Sequence, residues 1–343
     1  MKKLLKKLCL INGISGDEME VRDAIIEKIK GKCEYRIDNL GNLICFKKGR
    51  KSSSKKLMIC AHMDEVGFIV TAVNSDGTIS FDMVGGVDAG VAIGRQVIVK
   101  NYSTGKSYSG VVGSTAVHNL SKQEREKAPE YSGLYIDIGA ENREEAEKYI
   151  ELGDCIYFDS EFVELGEKRL KSKAIDDRVG CAMMIKLIHE ELEYDTYFVF
   201  NVQEEIGLRG SRASAFAVAP DFAIVLEATT AADIDGASGA ERVCELGKGP
   251  VVSFMDRSTV YDKELYRLAF DIAKESDIPC QTKTMIAGGN DAGAIHISGS
   301  GVRTIAVSVP CRYLHSASCV IDSTDLENSY TLVKKLAKRM CEI

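Results

Sequence analysis

The stretch Leu57-Met58-Ile59-Cys60-Ala61-His62-Met63-Asp64-Glu65-Val66-Gly67 decides how the chain is read. Its first five residues are uninterrupted and apolar. A continuous apolar run of that kind is how a strand buried on both faces of a parallel sheet appears. The run then meets a histidine and, two residues later, an aspartate. Three further runs repeat the construction. Phe198–Gln203 leads into Glu204 and Glu205, Phe222–Leu226 into Glu227, and Ile305–Val309, through Pro310, into His315. In open α/β sheets ligands bind beyond the carboxyl ends of the strands, so these side chains are expected to line one crevice. Asp176 and Asp177 join the set, because Asp-Asp is read as opening a helix.

Outward from that stretch the texture changes twice. Val21, Ile25, Ile26 and Ile29 recur at helical spacing, with Gly31 as a possible cap. From about Gly67 to Phe162 the helical period largely disappears, except around Ala140–Ile150, and short runs such as Gly67–Val73, Gln96–Lys100, Leu134–Ile138 and Cys155–Phe158 lie between turn signals like Ser75-Asp76-Gly77. After Lys173 the alternation returns: a helix over Asp176–Leu192, strands Tyr197–Val202 and Phe222–Leu226, a helix over Asp262–Ser276, strand Thr304–Val309, and a last helix that opens on the capping-box pattern Thr324-Asp325-Leu326-Glu327. The expected fold is α/β, with a mixed, largely parallel sheet, helices on both faces and an inserted β-rich second domain. Residues 1–67 and 164–343 form one discontinuous α/β domain in this reading, and residues 68–163 the insertion.

The bulk numbers narrow the field. A chain of 343 residues, 45% hydrophobic and 28% charged, has the composition of a globular protein large enough to bury a core without staples. The net charge of -7 argues against a nucleic-acid partner, which usually meets a basic face. The 11 cysteines contain no Cys-x-x-Cys pair, so neither a zinc ribbon nor a thioredoxin-like site is expected. Several, such as Cys60 and Cys181, sit in apolar runs, which fits free thiols in a reducing cytoplasm. The lysine-broken N-terminus does not read as a signal peptide, and no apolar run approaches the ~20 residues that cross a bilayer.

Taken singly, the candidate residues favour bland accounts. An Asp at a helix start is usually a cap, Glu-Glu after a strand is usually a solvated turn, and His189 and His296 fit structural roles. The set is harder to dismiss, because every bland account must then hold at the same edge of one sheet. Two imidazoles and three carboxylates make a mixed N/O donor field that suits zinc, and also cobalt or manganese. One carboxylate can bridge two ions ~3.5–4 Å apart, and such ions bring the pKa of a bound water to about 7. A free carboxylate must still take the proton and pass it to a leaving amine. Glu204 beside Glu205 offers one residue to ligate and one to act as base.

At these residues the sequence resembles the dinuclear zinc aminopeptidases of the glutamyl aminopeptidase and TET (tetrahedral) type, some of whose members are called endoglucanase or cellulase M. The matching segments are Ala61–Gly67, Lys173–Gly180, Val202–Gly207, Gly288–Gly293 and Pro310–Ser316, in the family's order and over nearly the whole chain. The resemblance implies that Asp176 bridges two divalent ions, that Glu205 and His315 complete one site and His62 and Glu227 the other, that Glu204 is the general base and that Asp64 orients His62. The family often has Asp where Glu227 stands. His118 matches a histidine of the family's inserted domain, without the prolines usual there. The implied partners are peptide substrates and further copies of the chain, in a dimer-based assembly up to a dodecamer, with the inserted domain of residues 68–163 serving oligomerisation or substrate access; the charge and the short apolar runs argue against nucleic acid and membrane.

Three other readings compete. A glycosidase needs two carboxylates ~5–9.5 Å apart; it leaves His62, Asp176 and His315 idle in a chain with no Trp and 7% aromatics. An N-acyl amino-acid deacylase would use similar chemistry on another amide. A non-catalytic metal-binding protein would have no use for an unligated base such as Glu204.

Overall fold

The computed structural model describes residues 1–343 except Asp235, with Val117 and Glu124 described as backbone only. In chain order its strands are β1 (Glu34–Ile37), β2 (Leu43–Lys47), β3 (Leu57–His62), β4 (Gly67–Val73), β5 (Ile79–Val84), β6 (Gln96–Lys100), β7 (Ser107–Ser114), β8 (Leu134–Asp137), β9 (Cys155–Phe158), β10 (Val163–Leu165), β11 (Arg169–Ser172), β12 (Thr196–Asn201), β13 (Phe222–Thr230), β14 (Val251–Val252), β15 (Gln281–Thr282), β16 (Arg303–Cys311) and β17 (Cys319–Asp322).

Eight of them form one mixed sheet in the order β1-β2-β12-β3-β13-β16-β14-β15. Its centre, β12-β3-β13-β16, is parallel, while β2 and β14 join it antiparallel. The apolar runs are therefore the buried parallel strands. Alternation sends their side chains to opposite faces. Leu57, Ile59 and Ala61 of β3, with Ile224 and Leu226 of β13, pack against the helices Ile175–Ile188, Lys263–Glu275 and Ser323–Met340. Met58 and Cys60 face the other way, with Val225, onto Ala215, Val218 and Ile295. In the parallel register Asn201 of β12 lies opposite His62, and Val225 of β13 opposite Cys60. Continuing the second register by two residues brings Glu227 level with His62.

Between β3 and the Ile175–Ile188 helix the chain folds into a closed antiparallel barrel, β4-β5-β8-β7-β6-β9. It has its own core, including Phe68, Phe81, Val97, Val99, Ile136, Ile156 and Phe158. Phe68 sits edge-on to Phe81 and to Phe158, at 5.0 and 5.2 Å between ring centres. After the barrel, β10 and β11 do not continue it: they pair with β17 in a three-stranded sheet beside the Ile175–Ile188 and Ser323–Met340 helices.

Local differences from the sequence expectations have physical causes. Only Arg143–Ala146 is helical in the Ala140–Ile150 stretch, capped by Asn142. The last helix starts at Ser323, and its cap is Asp322, whose carboxylate accepts from the Thr324 N–H; the expected cap box at Thr324 lies two residues too late. Asp325 is instead spent on the backbone N–H groups of Gly247 and Gly249. Asp176 and Asp177 do not open a regular helix. Their φ/ψ values are -82/111 and -117/46, so the helical turn proper begins after them.

Candidate metal centre

The carboxyl edge of the sheet gathers His62, Asp176, Glu204, Glu205, Glu227 and His315 on the wall of one cleft of about 750 Å³. Three overlapping groups have ligand atoms close enough to share an ion: His62 with Asp176 and Glu227, Asp176 with Glu205 and His315, and His62 with Glu204 and Glu205. Asp176 belongs to the first two. Its Oδ1 lies 3.4 Å from His62 Nε2 and its Oδ2 3.5 Å from His315 Nε2. Glu227 stands 3.7 Å from His62 Nε2, and Glu205 3.4 Å from His315 Nε2.

Both imidazoles are aimed by a bond at their far nitrogen. His62 Nδ1 is 3.0 Å from the Asp64 carbonyl, and His315 Nδ1 is 2.8 Å from the Gly86 carbonyl. A carbonyl only accepts, so each Nδ1 carries a hydrogen and each Nε2 is the nitrogen turned toward the carboxylates. The Asp64 carboxylate is buried, within 3.4 Å of His62 Nδ1. It accepts the Ser15 hydroxyl at 2.6 Å and the N–H groups of Glu204 and Glu205 at 3.1 Å each. Gly86 belongs to the barrel's β5–β6 connection. Its neighbour Gly85, at φ 84, leaves no room for a side chain: an added Cβ would stand 2.8 Å from Val66 and 3.2 Å from Glu205.

The electrostatics are lopsided. Asp177 and Asp291 are buried behind the cleft, and with them seven carboxylates surround two imidazoles. Burial opposes charge on His62, yet Asp176, Asp64 and Glu227 outweigh it and hold the imidazole well above its usual range. The same contest, with Asp176 and Glu205, raises His315 to about 10. Burial pushes Glu204 and Glu227 well above the carboxylate range, and Glu205 to about 7. For Asp176 burial pulls the other way and loses to the two imidazoles, which keep it ionised. Asp176 Oδ1 and Glu227 Oε1 are buried with no hydrogen-bond donor. Buried polar oxygens without a donor are costly, and divalent cations between them and the Nε2 atoms would satisfy both. The donor set thus fits hard-to-borderline divalent ions.

The sequence singled out all of these side chains but Asp291: His62, Asp64, Asp176, Asp177, Glu204, Glu205, Glu227 and His315. Asp291 is half of a buried pair, accepting from Asn201 Nδ2 at 2.7 Å, and Ser15 and Gly86 act through the groups they touch; none of the three roles leaves a periodic trace. His118 is exposed on the turn Val117–Asn119 and does not line the cleft. His189 and His296 bond backbone carbonyls of Lys28 and Ala292, which fits their structural reading.

A sheet edge carrying two aimed imidazoles, a carboxylate between them and a further glutamate defines a hydrolase of the metallopeptidase class. Residues 41–332 match the M42 glutamyl aminopeptidase family, and the chain belongs to that family. A relative from Acetivibrio thermocellus is 42% identical over 99% of this chain and 98% of its own. The crystal structure of a TET aminopeptidase from Thaumarchaeota archaeon SCGC AB-539-E09 superposes with a TM-score of 0.94 at 34% identity, covering 99% of this chain and 96% of that one. The TET1 peptidase of Pyrococcus horikoshii, which can assemble into a tetrahedron or a large octahedral shell, gives 0.86 at 34% identity, with 98% of both chains covered. The chain is an aminopeptidase, and its family implies divalent metal ions.

Proposed function

We propose that the protein removes N-terminal residues from peptides with two divalent ions, zinc first and cobalt or manganese as alternatives. The observation that carries the reading is Asp176, whose two oxygens face two different imidazoles. His62 and Glu227 would hold one ion and His315 and Glu205 the other, with Asp176 shared. When bound, such ions supply an acidified water and a positive charge opposite the scissile carbonyl.

The remaining work falls to the chain. Glu204, on the cleft wall beside Glu205, accepts the proton of the attacking water and returns it to the leaving amine. Burial raises the proton affinity of its carboxylate, which strengthens it as the acceptor of that proton. Asp64 fixes His62 from behind and holds the Glu204–Glu205 backbone. The cleft walls bind the peptide and shed its water. Residues 68–163 act as an inserted domain, with the rest of the chain as the catalytic domain. By analogy with the tetrahedral assembly of the Pyrococcus horikoshii peptidase, this chain forms a homo-oligomer built from dimers, up to a dodecamer. Eleven unpaired cysteines support a cytoplasmic setting.

The test is a cleavage panel on purified protein of known metal content. Peptides with free N-termini should be cleaved one residue at a time, whereas N-acetyl amino acids should not. Preferential hydrolysis of the acetylated compounds would replace this reading with a deacylase. Light scattering that gave only the 37.5 kDa monomer at micromolar concentration would refute the assembly.

A further inference from the structure

The turn Gln203–Glu205 carries two of the site's carboxylates, yet it belongs to no strand or helix. Strand β12 has ended at Asn201 and the next helix begins at Arg209. Gln203 sits at φ 54, in the left-handed region that an L side chain occupies only where its surroundings hold it. The hold is visible. Three successive N–H groups each meet a buried carboxylate: Gln203 donates to Glu18 Oε1 at 3.0 Å, Glu204 to Asp64 Oδ1 and Glu205 to Asp64 Oδ2, both at 3.1 Å.

Both acceptors are governed from one short segment near the N-terminus. The Ser15 hydroxyl donates to Asp64 Oδ2 at 2.6 Å, and the Gly16 N–H donates to Glu18 Oε1 at 2.9 Å. Gly16, at φ 95, makes the turn between them. Glu18 is the N-cap residue of the Met19–Ile29 helix, a position where a carboxylate ordinarily bonds the first-turn N–H groups. Its side chain makes no such bond. It is 6% exposed and reaches across to Gln203 instead. A cap forgone in favour of a distant turn points to a role at that turn.

We propose that Ser15 and Glu18 are positioning residues for the hydrolysis, setting the direction of the Glu204 carboxylate. The inference rests on the reading of Glu204 as the base. Neither residue lines the cleft, so both act through the backbone of residues 203–205: Glu18 directly, Ser15 by way of Asp64. Proton transfer depends steeply on geometry, and small misplacements of a reacting group are costly.

The experiment compares Glu18→Ala, Glu18→Gln and Ser15→Ala with Glu204→Gln, reading kcat, KM, bound metal and melting temperature for each. In Glu18→Ala, kcat per metal-loaded subunit should fall roughly 10–100-fold while KM stays within about threefold. Metal content should not change. Glu18→Gln keeps an oxygen that accepts both N–H bonds, and it should restore kcat to within about threefold of the parent. Ser15→Ala should lose about three- to tenfold in kcat. A merely structural role would lower the melting temperature or the metal content and leave kcat per loaded subunit unchanged; that result overturns the proposal. If Glu18→Ala does not fold, Ser15→Ala decides by the same criterion. Activity retained in Glu204→Gln would sink the reading of the site itself, whereas an inactive Glu204→Gln beside an unaffected Glu18→Ala would sink this inference alone.

Discussion

The two imidazoles that face Asp176 live in different surroundings. His62 ends a central parallel strand, is 1% exposed and takes its orientation from Asp64, two residues along the same chain segment. His315 lies in the loop after β16, is 36% exposed and takes its orientation from Gly86 in the barrel's loop. One half of the donor set is thus built by the sheet, the other assembled from loops of separate parts of the molecule. The contrast teaches that a pair of like sites can differ in rigidity and access while sharing a carboxylate.

The largest expected effect tests what the halves share. Asp176→Ala should lose both ions and all activity, and should be worse than His62→Ala; two ions retained by elemental analysis would remove the bridge. Next in size is Glu204→Gln, which should keep both ions and lower turnover by roughly 10²–10⁴. Glu205→Gln should instead lose metal and activity together. If Glu204→Gln lost metal while keeping turnover per remaining ion, the two roles would be reversed.

The contrast itself is tested by stripping metal slowly with a chelator. Metal loss should be biphasic, with the His315 side emptying first because it is open to solvent. His315→Ala should abolish the fast phase, and a single phase in the parent protein would equate the halves.

A smaller effect follows from charge. Without metal, Glu205 keeps its proton up to about 7, while the unfolded chain releases it near the usual carboxylate value. The native state therefore binds more protons across that window, and its stability falls as pH rises. His315, raised to about 10, contributes stability that is full below its unfolded pKa and is lost as pH rises toward 10. Metal replaces these protons, so the gain in melting temperature on adding zinc should grow from pH 5.5 to 7.5. A gain that shrank over that range would contradict the charge pattern described here. The least effect is expected at the barrel's contact. Gly85→Ala places a Cβ against Val66 and Glu205, and should cost about 1–3 kcal/mol by denaturant unfolding while disturbing the His315 side more than the His62 side.

Much of this was legible because the sheet writes itself as apolar runs. Each parallel strand appears as one, and the residues just past each apolar run fall toward the same edge, which groups His62, Glu204, Glu205 and Glu227, although β13 itself runs on through Glu227 to Thr230. Asp176 was legible as a residue and not as a geometry. Asp-Asp ahead of Arg178-Val179 looks like a helix start, whereas both residues take non-helical angles that turn the carboxylate inward. Four of the barrel's six strands, β4, β6, β8 and β9, are legible as short runs, but β5, β7 and the closure are not, because β4 pairs with β9 across the whole of the intervening chain. Ser15 and Glu18 are silent in sequence: a serine and a glutamate before a helix suggest a cap, and only the fold shows that the carboxylate serves another turn.

The bond between His315 and Gly86 joins residues 229 positions apart, and this bears on how the protein matures. During synthesis the segment bearing His62 emerges well before that bearing His315. A nascent chain can hold part of the acidic cluster, but no partial chain can present the finished donor set. Ions that favour the complete arrangement bind the folded chain over every unfinished form. At a free concentration of one hundred times the dissociation constant they add about 2.7 kcal/mol to its stability. Metal supply would then govern how many finished chains persist, as well as how fast each one turns over.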